Sequence, residues 1–246
     1  MFAAYAGATV AATAARVYDV VTQLALRCLH FKMMERQLNG LAFVVNLAQL
    51  VAGGAGAAGG YPVSTYVTPV NPSAPPGAPR TVVRNTQTRA VLHGRGGAEL
   101  AEWIHRNGVL ALIFGGDGMH EELIGRSIAL IVFLAKQSAL SDAQLEQVWS
   151  VGTSSRSSAE KVAAVHSILG TASRHLSLRH VLLLLSWVRA RELGTLSVRT
   201  LQLVGDVARA QLGRDEREAA GADVDDAVRT AAELLLEVVL GTPTGR

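Results

Sequence analysis

Apolar residues recur at intervals of three and four along most of this chain, the period of a helix face rather than of a strand. The densest stretch is 99–149. Within His120–Lys136, Leu123, Ile124, Ser127, Ile128, Leu130, Ile131 and Leu134 share one broad side of a helical wheel, with Glu121, Glu122, Gly125, Arg126 and Lys136 opposite. A stripe that wide predicts one helix with neighbours on most of its surface. Between about residues 11 and 52, Val17, Val20, Val21, Leu24 and Leu29 mark one stripe. Leu38, Leu41, Val44, Val45, Leu47 and Leu50 mark a second, beyond the polar patch Glu35–Gln37. Asn39-Gly40 signals a hairpin only between alternating flanks. Between helical flanks it predicts a local irregularity or a short break.

Punctuation divides the second half into short helices. Glu99–Arg106 stops at Asn107-Gly108, a left-handed terminator. Val109–Phe114 is a brief apolar element closed by Gly115-Gly116, and Asp117 is placed to cap the helix after it. Ser141 and Gln144 have the spacing of a capping box, with Leu140 and Leu145 as its hydrophobic staple. Ser157 and Glu160 repeat the box before a helix to about His175. Ser177 caps a helix to about Arg191, with Leu176 and Val181 as staple. Thr195 begins another, closed by Gly213; Arg214–Glu218 is a charged connection, and Asp223–Leu240 is the last helix.

One segment breaks the pattern. Gly53, Gly54, Gly56, Gly59 and Gly60 are followed by Pro62, Pro69, Pro72, Pro75, Pro76 and Pro79. Such a stretch lacks the apolar side chains needed to fold. It divides the chain into N-terminal helices (1–52), a disordered Gly/Pro-rich insertion (53–95) and a main helical region (96–246). Tyr61 and Tyr66 among the prolines could form a docking motif for a proline-recognising module, but a linker is the simpler reading. Helices of this length joined by short connections pack as antiparallel pairs. The fold class expected is all-α, an irregular armadillo- or HEAT-like solenoid.

Composition narrows the function. Of the 246 residues, 49 % are hydrophobic and 17 % charged, which suits a buried core rather than a disordered chain. Lys32, Lys136 and Lys161 are the only lysines, and the arginines are interleaved with acids, giving a net charge of +3. Nucleic-acid binding, which calls for a basic patch or stripe, is not expected. Cys28 is the only cysteine, so neither an internal disulfide nor a cysteine-rich zinc site can form, in keeping with a reducing, cytoplasmic setting. No apolar run approaches the ~20 residues of a membrane span. The acid-free start, with Arg16 its one basic residue, reads as an Ala-rich helix rather than a transit peptide.

Several motifs resemble chemical ones. Ile113-Phe114-Gly115-Gly116-Asp117-Gly118 resembles the nucleotide loop of the NAD-kinase and diacylglycerol-kinase families, in which glycines let the backbone approach phosphates. Met119 replaces the usual Thr or Ser, and the pattern predicts no later strands for a sheet. Gly94-Arg95-Gly96-Gly97 lacks the third glycine of a dinucleotide loop. Gly125-Arg126-Ser127-Ile128-Ala129 fails the nucleophile-elbow pattern at its last position. His120-Glu121 has no second His four residues on. His175 and His180 share no helix face and read as surface groups, and Cys28 reads as an inert, buried thiol.

A longer pattern runs from about Leu38 to Leu212. Leu38-Asn39-Gly40-Leu41 is followed by Trp103-Ile104-His105-Arg106-Asn107, Val109-Leu110 and Ile113-Phe114-Gly115. Then come His120-Glu121-Glu122-Leu123-Ile124-Gly125-Arg126-Ser127, Phe133-Leu134-Ala135 and Leu145 to Trp149. In that order these elements resemble the helical-repeat region of the very large ubiquitin-specific proteases of the fat-facets type. The resemblance implies an armadillo-like scaffold that contacts protein partners of the ubiquitin pathway, as a segment of such a protease or as a derivative of one. The family's Cys box has no counterpart around Cys28 and its His box has none either, so no catalytic, cofactor-binding or metal-ligating residue carries over. Two alternatives stay open: part of a cysteine-type deubiquitinase whose catalytic domain lies outside this chain, and a nucleotide-binding kinase built on Gly115–Gly118.

Overall fold

A computed structural model describes residues 2–52, 96–115, 120–154, 156–191, 196–215 and 228–234. Ten helices carry the described chain: α1 (Phe2–His30), α2 (Met34–Ala52), α3 (Gly97–Arg106), α4 (Val109–Phe114), α5 (Glu121–Arg126), α6 (Ile128–Lys136), α7 (Asp142–Thr153), α8 (Ala159–Ala172), α9 (Leu178–Arg189) and α10 (Val198–Asp215). Residues 228–234 form a further helical stretch, and there is no strand among the described residues. The chain is all-α. The Gly/Pro-rich insertion, the Asp117 cap, the Thr195 start and most of the expected 223–240 helix lie outside the described residues.

The local signals explain many of the boundaries. The Ser141 hydroxyl accepts from the Gln144 N–H at 3.2 Å while Gln144 Oε1 accepts from the Ser141 N–H at 3.0 Å, a complete capping box at the start of α7. Both staple residues, Leu140 and Leu145, are buried. Ser177 Oγ accepts from the His180 N–H at the start of α9, with Leu176 and Val181 buried beside it. Gly108 turns the chain between α3 and α4 at φ 59°, the left-handed conformation that glycine adopts without a Cβ penalty.

Elsewhere the boundaries shift. α8 is capped by Ser158, whose Oγ accepts from the Lys161 N–H, because the Ser157 hydroxyl instead donates to the Val151 carbonyl at 2.6 Å. That helix ends at Ala172 rather than near His175, and α9 ends at Arg189. α10 begins at Val198 under a Ser197 cap and runs through Gly213 to Asp215, where a connection was expected. His120–Lys136 is two helices, not one. The chain turns at the buried Ser127, whose hydroxyl donates back to the Ile124 carbonyl at 2.7 Å. A polar group bonded into the preceding turn bends a helix in this way.

The N-terminal pair departs further from expectation. The break falls at 31–33, before the Glu35–Gln37 patch, and α2 runs unbroken through Asn39-Gly40. Among the α1 side chains that are described, Tyr18, Thr22, Ala25 and Leu29 are buried, whereas Val17, Val20 and Leu24 are exposed. The face of α1 turned towards the core is set by close approach to α2 rather than by hydrophobicity.

α1 packs on α2 and α4, and α2 packs on α3, α5 and α6. α8 packs on α5, α6, α7 and α10, and α9 packs on α10. At the α7–α8 crossing, a Cβ on Gly152 would lie 2.7 Å from Val165 Cγ1, so glycine is what lets these helices come so near. One apolar cluster runs through these contacts, from Tyr18 and Leu41 through Ile104, Ile124 and Leu145 to Ile168, Leu185 and Leu203.

Candidate functional site

The groove between α1 and α3 is the candidate contact surface. Tyr18, Asp19, Thr22 and Gln23 of α1 face Glu99, Glu102, Trp103 and Arg106 of α3 across a cavity of about 520 Å³. Helical spacing presents each set: 18, 19, 22 and 23 lie on adjoining rows of α1, as 99, 102, 103 and 106 do on α3. Three carboxylates face one guanidinium, and the Arg106–Glu102 ion pair spans one turn of α3. Trp103 is half-buried against the core and adds a ring to the wall. The Asn107 amide donates to the Trp103 carbonyl at 2.8 Å, which fixes the end of α3 beneath it. Thr22 Oγ1 reaches back to the Tyr18 carbonyl at 3.0 Å. The surface presents polar side chains around one aromatic ring.

The motif residues are separated in space. Val109–Phe114 ahead of the glycines is a helix, not the strand that a phosphate-binding loop follows. Gly115 is its C-cap, donating to the Ala111 carbonyl at 2.8 Å, and Gly116–Gly118 lie outside the described residues. Gly96 is the N-cap of α3, and Gly94-Arg95 also lie outside. His120 caps α5, with Nδ1 accepting from the Glu122 N–H. Cys28 is half-buried against α2. His30 Nδ1–H donates to the Leu26 carbonyl of its own helix at 2.8 Å. His180 is not a surface group: its side chain is 12 % exposed and Nε2 lies 3.1 Å from Asp142 Oδ1, tying α9 to the first turn of α7. His175 is half-buried in the turn after α8.

A second cluster escaped the sequence pattern. Trp149 of α7 stacks on Trp187 of α9 at 6.3 Å and meets the His166 ring of α8 edge-on at 6.2 Å. Burial pushes the His166 imidazole below its ordinary value; the Val162 carbonyl opposes this and the positive Arg199 and Arg191 add to it. The chain offers a hint only in the apolar neighbours of His166, Val165 and Ile168, which place it on a core face. Among the described residues no group of three or more His, Cys, Asp or Glu side chains could hold a metal ion, and no helix is long and apolar enough to cross a membrane. No protein-family model matches the chain, and no curated protein matches it significantly.

Proposed function

We propose that the chain is a non-catalytic scaffold of armadillo-like build, a segment or derivative of a large ubiquitin-specific protease of the fat-facets type, and that it binds a protein partner of the ubiquitin pathway. The observation that carries this reading is the order of packing. α2 bridges α1 to α3, α5 and α6, and α8 bridges α5, α6 and α7 to α10, so contacts pass along the chain from one group of helices to the next. Such contacts are compatible with a solenoid, whose surfaces would serve as extended binding faces. The α1–α3 groove is the contact face in this reading. Its polar lining around the Trp103 ring favours a polar partner segment.

Titration of the chain with ubiquitin and with ubiquitin chains, followed by Trp103 fluorescence and by calorimetry, tests this. Binding that is lost in Glu102→Lys with the melting midpoint unchanged supports it. Absence of binding to either form removes the ubiquitin assignment. Binding unaffected by Glu102→Lys or Glu99→Lys removes the groove.

A further inference from the structure

One side of α1 is apolar and exposed. Val17, Val20 and Leu24 are spaced by three and four, so they share a row of the helix, and Val20 is 63 % exposed. This row is distinct from the other two sides of α1. Tyr18, Thr22, Ala25 and Leu29 are buried, and Asp19 and Gln23 border the α3 groove. The row continues past the end of the helix. The Phe31 N–H still donates to the Cys28 carbonyl at 3.2 Å, so the helical turn carries Phe31 round to the row of Leu24. Phe31 is exposed, and Met33 in the same α1–α2 turn is 59 % exposed. Apolar side chains grouped in this way, rather than scattered singly, mark a contact surface.

Basic side chains edge the row. Arg16 and Arg27 are three helical turns apart and lie along one border of it, on the side of Gln23. Lys32 stands between Phe31 and Met33, and the Arg36 guanidinium of α2 lies over the Phe31 ring, 4.4 Å from its centroid. All four cations are exposed. Among the described residues none of them is in an ion pair. The acids nearby are Asp19, on the groove side, and Glu35, in the first turn of α2. The border of the apolar row is therefore mainly positive.

We propose that this side of α1, with the α1–α2 turn, docks on an anionic lipid surface. Val17, Val20, Leu24, Phe31 and Met33 enter the boundary between headgroups and acyl chains, and the cations meet the lipid phosphates and carboxylates. Arginine and lysine suit that position, because their stems lie along apolar surface while their charges stay at headgroup level. The border from Arg16 to Arg27 runs about 16 Å along the helix axis, so α1 lies flat on the surface. The shape favours lipid over a partner helix. The outer side of one helix and the turn at its end project, and a bilayer yields to a projecting face. The contact is peripheral: no described helix is long and apolar enough to cross a membrane. It stands independently of the scaffold reading, since the groove opens on a different side of α1.

Co-sedimentation of the full chain with vesicles of phosphatidylserine and phosphatidylcholine, against vesicles of phosphatidylcholine alone, is the test. The chain should bind the mixed vesicles, leave them as salt is raised, and largely ignore phosphatidylcholine. Arg16→Gln and Arg27→Gln should each lower the partition about fivefold, the loss expected for one basic residue at the headgroups. Arg106→Gln, a cation of the groove, should leave it unchanged. Val20→Ser and Met33→Ser should each weaken binding with the melting midpoint unchanged, because both sites are exposed. Should one variant of a pair unfold, the other decides. No binding, or equal binding to the two lipids, overturns the proposal, and so does an Arg106→Gln effect as large as that of Arg27→Gln. Binding that responds to the arginines but to neither Val20→Ser nor Met33→Ser is charge attraction without insertion and overturns it too. Binding of a synthetic acidic amphipathic helix, with none to vesicles, assigns the face to a protein partner instead.

Discussion

Gly40 of α2 lies so close to Ala25 of α1 that a Cβ on Gly40 would sit 2.7 Å from the Ala25 carbonyl oxygen. The same Cβ would be 2.9 Å from Cys28 Cβ and from the Leu29 amide nitrogen. Two of these three obstacles are backbone, which cannot move without moving the helix. Gly40→Ala gains about 1 kcal/mol in helix propensity. Forcing a methyl into a filled contact costs about 1–3 kcal/mol. The clash with backbone should win, and the variant should unfold at lower urea with an unchanged m-value. A variant as stable as wild type would mean that α1 and α2 separate without cost.

Trp149 is structural. It is 7 % exposed, and its ring meets His166 of α8 and Trp187 of α9. Trp149→Ala should cost ~3–5 kcal/mol, the range for emptying a large aromatic site. Because Trp187 loses its stacking partner, the emission of the remaining tryptophans should shift as well. A melting midpoint within a degree or two of wild type would show that the neighbours collapse into the space.

Stability should fall on acidification in two separable steps. His166 in the folded chain is held below its ordinary value of 6.5, chiefly by burial, so the unfolded chain binds the proton more readily. This loss begins as pH drops below 6.5 and is complete once pH is below the folded value. Glu160 is lowered from 4.5 by its own backbone N–H and by Ser158 at the α8 cap. Its contribution is present above 4.5 and is lost as pH falls through the folded value. Melting midpoints recorded against pH should show both steps. His166→Gln should erase the first and leave the second, and Glu160→Gln the reverse. A single step untouched by either substitution would assign the acid response to other groups.

The sequence carries the helices well because caps and staples are local: Ser141, Ser177 and Gly108 act within a few residues of themselves. It is less clear about faces. On α1, Val17, Val20 and Leu24 outrank Tyr18, Thr22 and Ala25 in hydrophobicity, yet the latter are buried. Thr22 satisfies its hydroxyl on the Tyr18 carbonyl and Ala25 is small enough to meet Gly40, so contact distance rather than hydrophobicity selects the face. Ser157 and Ser158 are equivalent as caps until the Val151 carbonyl engages one of them. The α1–α3 groove is assembled from segments some eighty positions apart, and no spacing rule joins Asp19 to Trp103.

The chain should not turn over a fluorogenic ubiquitin substrate. Thiol catalysis needs a thiolate beside a base, with a third group to orient that base. Cys28 is half-buried at the α1–α2 contact, where its Cβ is among the first atoms that a Gly40 side chain would strike, so a substrate carbonyl has little room to approach. His30, two residues on, sits on a different face of the helix. Its Nδ1–H is already committed to the Leu26 carbonyl at 2.8 Å, which turns the ring along its own helix. Arg27 is the nearest cation in sequence, is exposed, and orients nothing. A ubiquitin probe with a thiol-reactive warhead should leave the protein unlabelled, while a small alkylating reagent should modify Cys28 slowly in the folded state and quickly in urea. Stoichiometric labelling by the ubiquitin probe that disappears in Cys28→Ser would show that the α1–α2 contact opens to a substrate, and would replace the scaffold with an enzyme.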